Sequence, residues 1–252
     1  MDADLIRELP SMPLQSPTYP HGPYRFRNRQ YMALPYRTSM QGIIDALPEP
    51  LEPDGDTVAV QWLDLPDGEG FGSYAAVAQV IPCRFKGEAC NYVHQMIVNN
   101  APPLAAGREI WGYPMKFGAP KLTVHGDTLT GELSYANQSV AVGTMTYKHM
   151  VSYLTSKELE QSLTRTQVTL KVIPGIDGRP QIAQLVGVNF QDVVVHGAWL
   201  GTGRLEMHAS VNCPLSDLPI LAMRQANHLV TDMTLPYGRV LHDYLAGTRF
   251  SR

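Results

Sequence analysis

One stretch limits what this chain can fold into more than any other: residues 107–122, GREIWGYPMKFGAPKL. Pro114 cannot donate to a sheet ladder, and Gly107, Gly112 and Gly118 allow backbone angles closed to other residues. The segment is too rigid for a linker and too irregular for a plain strand. Arg108, Glu109 and Lys116 bring charge to it, and Trp111, Tyr113, Met115 and Phe117 bring apolar bulk. Two readings of Lys116 follow. Held among apolar neighbours, its amine would lose solvation, and desolvation turns a lysine into a nucleophile toward carbonyls. Alternatively the side chain runs out to water, as most lysines do.

Around this stretch the pattern is one of strands. Residues 1–23 pair a short helix near residues 4–9 with the proline-studded SMPLQSPTYPHGP, an extended arm over the body or onto a neighbouring subunit. Residues 24–36 read as a strand whose alternation places Arg25, Arg27 and Arg29 on one face. Thr38 with Gln41 has the spacing of a capping box ahead of a short helix that ends near Pro48. In residues 57–64 Val58, Val60 and Trp62 alternate with Ala59, Gln61 and Leu63, so Gln61 faces away from Trp62. Glycines at 68, 70 and 72 predict a turn into a strand over 74–81, followed by a strand over 91–98 and a turn over 100–103.

After the central stretch, residues 121–147 form a meander with turns at His125-Gly126-Asp127 and Ala136-Asn137-Gln138. Thr155 and Glu158 cap a helix through Leu163. The antiparallel pattern resumes over 168–172, 181–199 and 205–209, then over 228–235, and a helix near 239–245 closes the chain. The expected class is mainly β (α+β): a single domain over 1–252, a closed antiparallel barrel or cone with a few peripheral helices.

Composition narrows the function. A net charge of -3 and the lack of any Lys/Arg-rich run argue against nucleic acid and anionic membranes. No apolar run approaches a bilayer span, and the acidic N-terminus lacks a signal-peptide core, so the expected compartment is the cytoplasm. Cys83, Cys90 and Cys213 are odd in number and lack CxxC spacing, which predicts buried, reduced thiols. Eight scattered histidines give no metal motif, and neither a GxSxG elbow nor a Rossmann glycine pattern is present. No cofactor and no metal are expected.

The opening SPTYPHGPYRFRNRQY, then YRTSM, LPEPLE, the central stretch, TMTYKHM, VHGAW and LPYGRVLHDYL resemble the acetoacetate decarboxylase family, in its order and spacing over nearly the whole chain. The resemblance implies a barrel with an internal active site, a small carboxylate-bearing carbonyl substrate and a homo-oligomer. In that family a lysine amine forms an iminium with a β-keto acid. By the same resemblance that lysine falls on Met115, the second lysine of its pair remains as Lys116, two active-site glutamates fall on Gln61 and Ala76, and an arginine is matched by Arg29.

Losing a buried cation alone would strand carboxylates at a cost of several kcal/mol. Losing all three charges together yields a neutral pocket that keeps Arg29, a site suited to a carboxylate or enolate. Arg29 and Lys116 are the candidate catalytic residues. Gln61, Tyr74, Ala76, Tyr113, Met115 and Glu109 are the candidate substrate contacts. The expected function is a lyase step (decarboxylation, dehydration or retro-aldol) without the usual Schiff base. The alternatives are Schiff-base chemistry through Lys116, or a non-catalytic binder of a hydrophobic carboxylate. Alternation on extended backbone weighs against Lys116, because it turns 116 away from whatever 115 faces.

Overall fold

The computed structural model describes residues 3–247. Helix α1 (Ala3–Arg7) leads through the arm to β1 (Tyr24–Arg37), α2 (Met40–Ala46), β2 (Glu52–Pro53), β3 (Thr57–Gly68), β4 (Gly72–Phe85) and β5 (Glu88–Val98). Helix α3 (Ala101–Ala106) runs directly into a π-helical turn (Gly107–Trp111) and then β6 (Met115–Phe117). A meander follows: β7 (Ala119–His125), β8 (Thr128–Tyr135) and β9 (Gln138–Thr146). The rest comprises β10 (Met150–Val151), α4 (Ser156–Leu163), β11 (Gln167–Pro174), β12 (Pro180–Val188), β13 (Gln191–Gly201), β14 (Gly203–Met207), a 3-10 turn (Leu215–Asp217), β15 (Ala222–Met223), β16 (Ala226–Leu235) and β17 (Arg239–Asp243).

The strands form two sheets. The larger runs β10-β13-β16-β1-β3-β4-β5-β11-β12-β17, with β2, β6 and β15 attached at its flanks; the smaller runs β14-β9-β8-β7. Central β4 is apolar on both faces, and every residue from Tyr74 through Ile81 is buried, as expected for a strand covered on both sides. One face packs on the small sheet. Met32, Leu34, Val60 and Trp62 meet Leu129, Leu133, Val140 and Met145 there. Trp62 lies across Gly131 and Gly143, which pair in the β8–β9 ladder, and a side chain at either would collide with the indole. Its Nε1 donates to the Glu132 carbonyl oxygen at 3.1 Å. Truncating so buried a tryptophan would cost about 3–5 kcal/mol. The opposite face carries a second core of Tyr24, Phe26, Phe71, Tyr74, Trp111, Tyr113 and Met115. The Tyr24 and Phe71 rings stack at 4.4 Å within it.

Several expectations need correction. The large sheet does not close into a barrel: among the described residues no ladder joins β10 to β17. Both ends are short strands. Pairing is also mixed, because β5 runs parallel to both β6 and β11. The closing segment is strand β17, paired with β12, and not a helix. Five residues carry too little periodicity to separate the two, and the open β12 edge decides. Helix α2 is capped by Ser39, whose hydroxyl accepts from Gly42 N at 3.4 Å, while Thr38 is buried. The turn expected over 100–103 is the start of α3, where prolines suit the first helical turn. The capping box of α4 forms as its spacing predicts. All three cysteines are buried and free.

Candidate functional site

The central stretch folds as a turn followed by a strand. The π-helical turn ends at Gly112, left-handed at φ 79°, where an added Cβ would lie 2.4–2.5 Å from the Cβ and Cα of Lys171. The carbonyls of the turn are taken up by β11: Thr169 Oγ1 donates to Trp111 O at 2.5 Å and Lys171 Nζ to Ile110 O at 3.0 Å. Trp111 Nε1 donates to Pro236 O at 2.9 Å. Such π segments recur at functional sites, where they offset a side chain from regular helical spacing. Beyond it β6 pairs parallel to β5, with Met96 opposite Met115 and Ile97 opposite Lys116. On this extended backbone Met115 is buried and Lys116 is exposed.

Met115 lies against Gly107, where an added Cβ would come within 2.4 Å of its sulfur. Arg108 Nη1 donates to the Met115 carbonyl oxygen at 3.1 Å and pins the strand. Lys116 points the other way. Its Nζ donates to the Asn212 carbonyl oxygen at 2.6 Å and sits 5.9 Å from the centre of the Tyr135 ring.

Met115 forms part of the wall of a cavity of about 310 Å³, together with Arg29, Tyr31, Gln61, Tyr74 and Tyr113. How Arg29 gets there is a local accident of β1. Strict alternation would expose it with Arg25 and Arg27, which are indeed exposed. A bulge intervenes. The register with β16 shifts between Phe26 and Arg29, Asn28 adopts φ 53°, and Asn28 N–H donates to Asp232 Oδ1 at 2.8 Å. The extra residue turns Arg29 to the inner face. The expectation of three arginines on one face is therefore overturned.

Arg29 is 6% exposed, and its Nη1 is buried without a hydrogen-bond partner among the described residues. The guanidinium lies 5.1 Å from the Tyr31 ring centre and 6.0 Å from that of Phe190. Burial lowers its pKa from the ordinary arginine value, against a smaller upward pull from Tyr31, Tyr74 and Tyr113. An arginine stays protonated regardless. Burial pushes the Tyr31 phenol up to about 12, with Arg29 pulling it back, and it raises Tyr74 and Tyr113 further. All three keep their protons at neutral pH and present O–H donors. No aspartate, glutamate or lysine lines the cavity among the described residues. The wall combines one buried cation, three phenols, the Gln61 amide and apolar surface, a set that favours an anionic oxygen.

Three candidate residues fall outside this wall. Lys116 projects from the opposite face of β6. Glu109 is exposed on the π turn and accepts a hydrogen bond from Tyr19 Oη at 2.5 Å, an arm contact. Ala76 lies on the cavity-facing side of β4 but is fully buried between Tyr74 and Ala78, in the core that holds Met115. Tyr31, Phe190 and Arg165 line the cavity and were missed from sequence. For Tyr31 a signal existed, since it follows Arg29 by two residues on one strand. Phe190 and Arg165 come from distant loops, and no local pattern marks them.

Fold and site together define a mainly β protein with a cavity that holds a buried arginine. The model of the acetoacetate decarboxylase family matches residues 11–245, and the chain belongs to that family. It is 46% identical to the acetoacetate decarboxylase of Acidiphilium cryptum over 98% of this chain and 100% of the relative. A solved acetoacetate decarboxylase structure superposes with a TM-score of 0.94 at 40% identity, covering 97% of this chain and 100% of that one. That from Legionella pneumophila gives 0.90 at 40% identity, covering 96% of each chain.

Proposed function

We propose that this protein is an enzyme of the lyase type that acts on a small carboxylate-bearing keto or enol compound without forming an imine. The observation that carries this reading is Arg29, a buried guanidinium with an unpaired Nη1 in a cavity that has no carboxylate to neutralise it. A buried charge without a partner is costly, and an anionic ligand removes that cost.

For a β-oxo acid the step balances as follows. The bond between the α-carbon and the carboxylate breaks, carbon dioxide leaves, and the electron pair moves through the α-carbon onto the ketone oxygen. Arg29 and the Gln61 amide donate to that oxygen as its charge grows, which stabilises the enolate more than the ketone. A proton then returns to carbon from a phenol or from water, and the phenol is restored from solvent. Dehydration or retro-aldol cleavage would likewise place an enolate at that oxygen, but each first needs a base to take a proton from carbon or from the β-hydroxyl, whereas decarboxylation needs none. A wall of protonated phenols with no carboxylate among the described residues therefore favours decarboxylation. Met115 keeps the wall apolar, and Ala76 the core beside it, where an imine-forming amine and its carboxylate would otherwise stand. Names of the relatives support the substrate class, since they are acetoacetate decarboxylases.

The cavity's lack of a carboxylate acid or base favours one second reading, a binding protein that holds a carboxylate without turnover. Carbon dioxide release from a panel of β-oxo acids separates the two. Turnover is expected, lost in Arg29→Gln, with no reduced-imine adduct on the protein after hydride treatment. Binding without turnover across the panel would leave the binding reading. A mass increase matching a reduced imine, abolished in Lys116→Ala, would restore Schiff-base chemistry.

A further inference from the structure

The cavity wall carries two charged residues, and both are arginines. Arg29 borders the strand row Gln30–Asp64–Ala75. Arg165, just after α4, precedes the row Gln167–Asn91–Pro82. Along β4 these rows are seven residues apart, from Ala75 to Pro82, so the two arginines enter the wall toward different ends of that strand. Between these rows the wall carries Val80 and Val93, with Leu163 two residues before Arg165 and the Phe190 ring 6.0 Å from the Arg29 guanidinium. Around Arg165 it turns polar again, with Asn91, Ser162 and Gln167. The cavity thus carries a cation toward each of the two ends of β4, with apolar side chains between the rows. A four-carbon oxo acid at Arg29 would leave the greater part of it empty.

The two arginines share a second property. Neither guanidinium has a hydrogen-bond or ion-pair partner among the described residues, and no acidic residue lines the cavity to offset them. Two cations without an acidic partner on one cavity raise its affinity for a dianion above that for a monoanion. Arg165 is the more exposed, which suits the mouth of the cavity, where a second anionic group would remain partly hydrated.

We infer that the ligand is an elongated oxo dicarboxylate, with its reacting end at Arg29 and its second carboxylate at Arg165. This rests on the reading of Arg29 as the anion-holding group and adds the identity of the far end. Arg165 is on this view a specificity-determining residue that touches the substrate away from the reacting atoms. The competing role is structural, since a cation after a helix C-terminus complements the exposed carbonyls of α4. That role would register in stability and not in discrimination between ligands.

The test is calorimetric titration of the full-length protein with linear dicarboxylates of four, six and eight carbons and with monocarboxylates of matched length. The six- or eight-carbon dicarboxylate is expected to bind about tenfold or more tightly than its monocarboxylate counterpart, the value of one charge-assisted hydrogen-bonded contact. In Arg165→Gln the difference should vanish, with monocarboxylate affinity and thermal midpoint unchanged. In Arg29→Gln both ligand series should weaken. Equal affinity of the two series in the wild type, with monocarboxylates bound through Arg29, would overturn the dicarboxylate and leave the Arg29 reading standing. A loss in Arg165→Gln that is equal for both series and accompanied by a lower midpoint would assign Arg165 to the scaffold. If the wild type binds neither series, the Arg29 reading fails and this inference with it.

Discussion

Met115 and Lys116 are adjacent on one short strand and face opposite sides of it: the methionine packs on Gly107 in the cavity wall, and the lysine amine donates to Asn212 O at 2.6 Å on the far side. For Lys116 to reach the cavity, β6 would have to slip by one residue. That slip would break its pairing with β5, in which Met96 faces Met115, and drive a charged side chain into the apolar core of Tyr74 and Trp111. The chemistry we propose for the site therefore centres on Arg29.

Replacing Arg29 by glutamine should weaken carboxylate binding by about 10- to 100-fold, the loss of a charge-assisted hydrogen bond. The thermal midpoint should hold or rise, because the native protein buries this guanidinium without a partner for Nη1. Binding is checked by titration and stability by calorimetric melting. A large fall in midpoint with intact binding would make Arg29 a structural residue.

The turn that aims Met115 depends on Gly112. An alanine there must hold φ near +79° and place its Cβ 2.4–2.5 Å from the Cβ and Cα of Lys171. Left-handed backbone alone costs about 1–2 kcal/mol, and the approach of the β11 backbone adds to it. Gly112→Ala should lower stability by about 2 kcal/mol or more in urea titrations, whereas Gly126→Ala, at an open turn, should lose only the backbone part.

His228 predicts an acid-sensitive fold. It is fully buried, both ring nitrogens lack partners, and its ring stacks on Trp199 at 5.2 Å. Burial, with help from Lys148, lowers its pKa from 6.5 to about 4. The unfolded chain then binds the proton more readily than the folded one. Stability is full above pH 6.5 and falls as the pH drops toward 4, by up to about 3 kcal/mol. Urea midpoints for the parent and His228→Phe between pH 7 and 4.5 check this. The variant should lose that part of the slope, and an unchanged slope would place the sensitivity elsewhere.

How far the sequence reveals the site depends on whether a side chain is placed by local alternation or by a distant partner. The opposed faces of Gln61 and Trp62, and of Met115 and Lys116, follow from the two-residue period of a strand and are found as expected. Arg29 escapes that logic. Its bulge is held by Asp232, some 200 residues along the chain, and no local feature near Asn28 announces it. The same holds for Phe190 and Arg165, which stand on loops whose flanking strands are set by pairing with distant parts of the chain. The open sheet was misjudged for a related reason, because barrel closure is decided by whether two end strands meet, which no strand's own pattern encodes.

The last prediction concerns Met115, where the family resemblance places an imine-forming lysine. Met115→Lys alone should not bring acetoacetate decarboxylation. The new amine would share the cavity with Arg29, and desolvation and like charge would both depress its pKa, so an uncharged nucleophile would be at hand. An imine with a keto acid should therefore form and be trapped by hydride. Turnover asks for more: the substrate carboxylate must be oriented so that its bond to carbon overlaps the iminium. Gln61 and Ala76 supply neither a charge nor an exchangeable carboxyl proton. Adding Gln61→Glu and Ala76→Glu should raise carbon dioxide release well beyond the single variant, with non-additive effects because the groups meet in one cavity. The cost is fit, since Ala76 is fully buried and a glutamate there must displace its neighbours, so the triple variant should also melt earlier. Carbon dioxide release by the parent, single and triple variants decides the matter. A single variant equal to the triple would show that the amine alone was missing, and that Arg29 with the three phenols already supplies everything else the reaction needs.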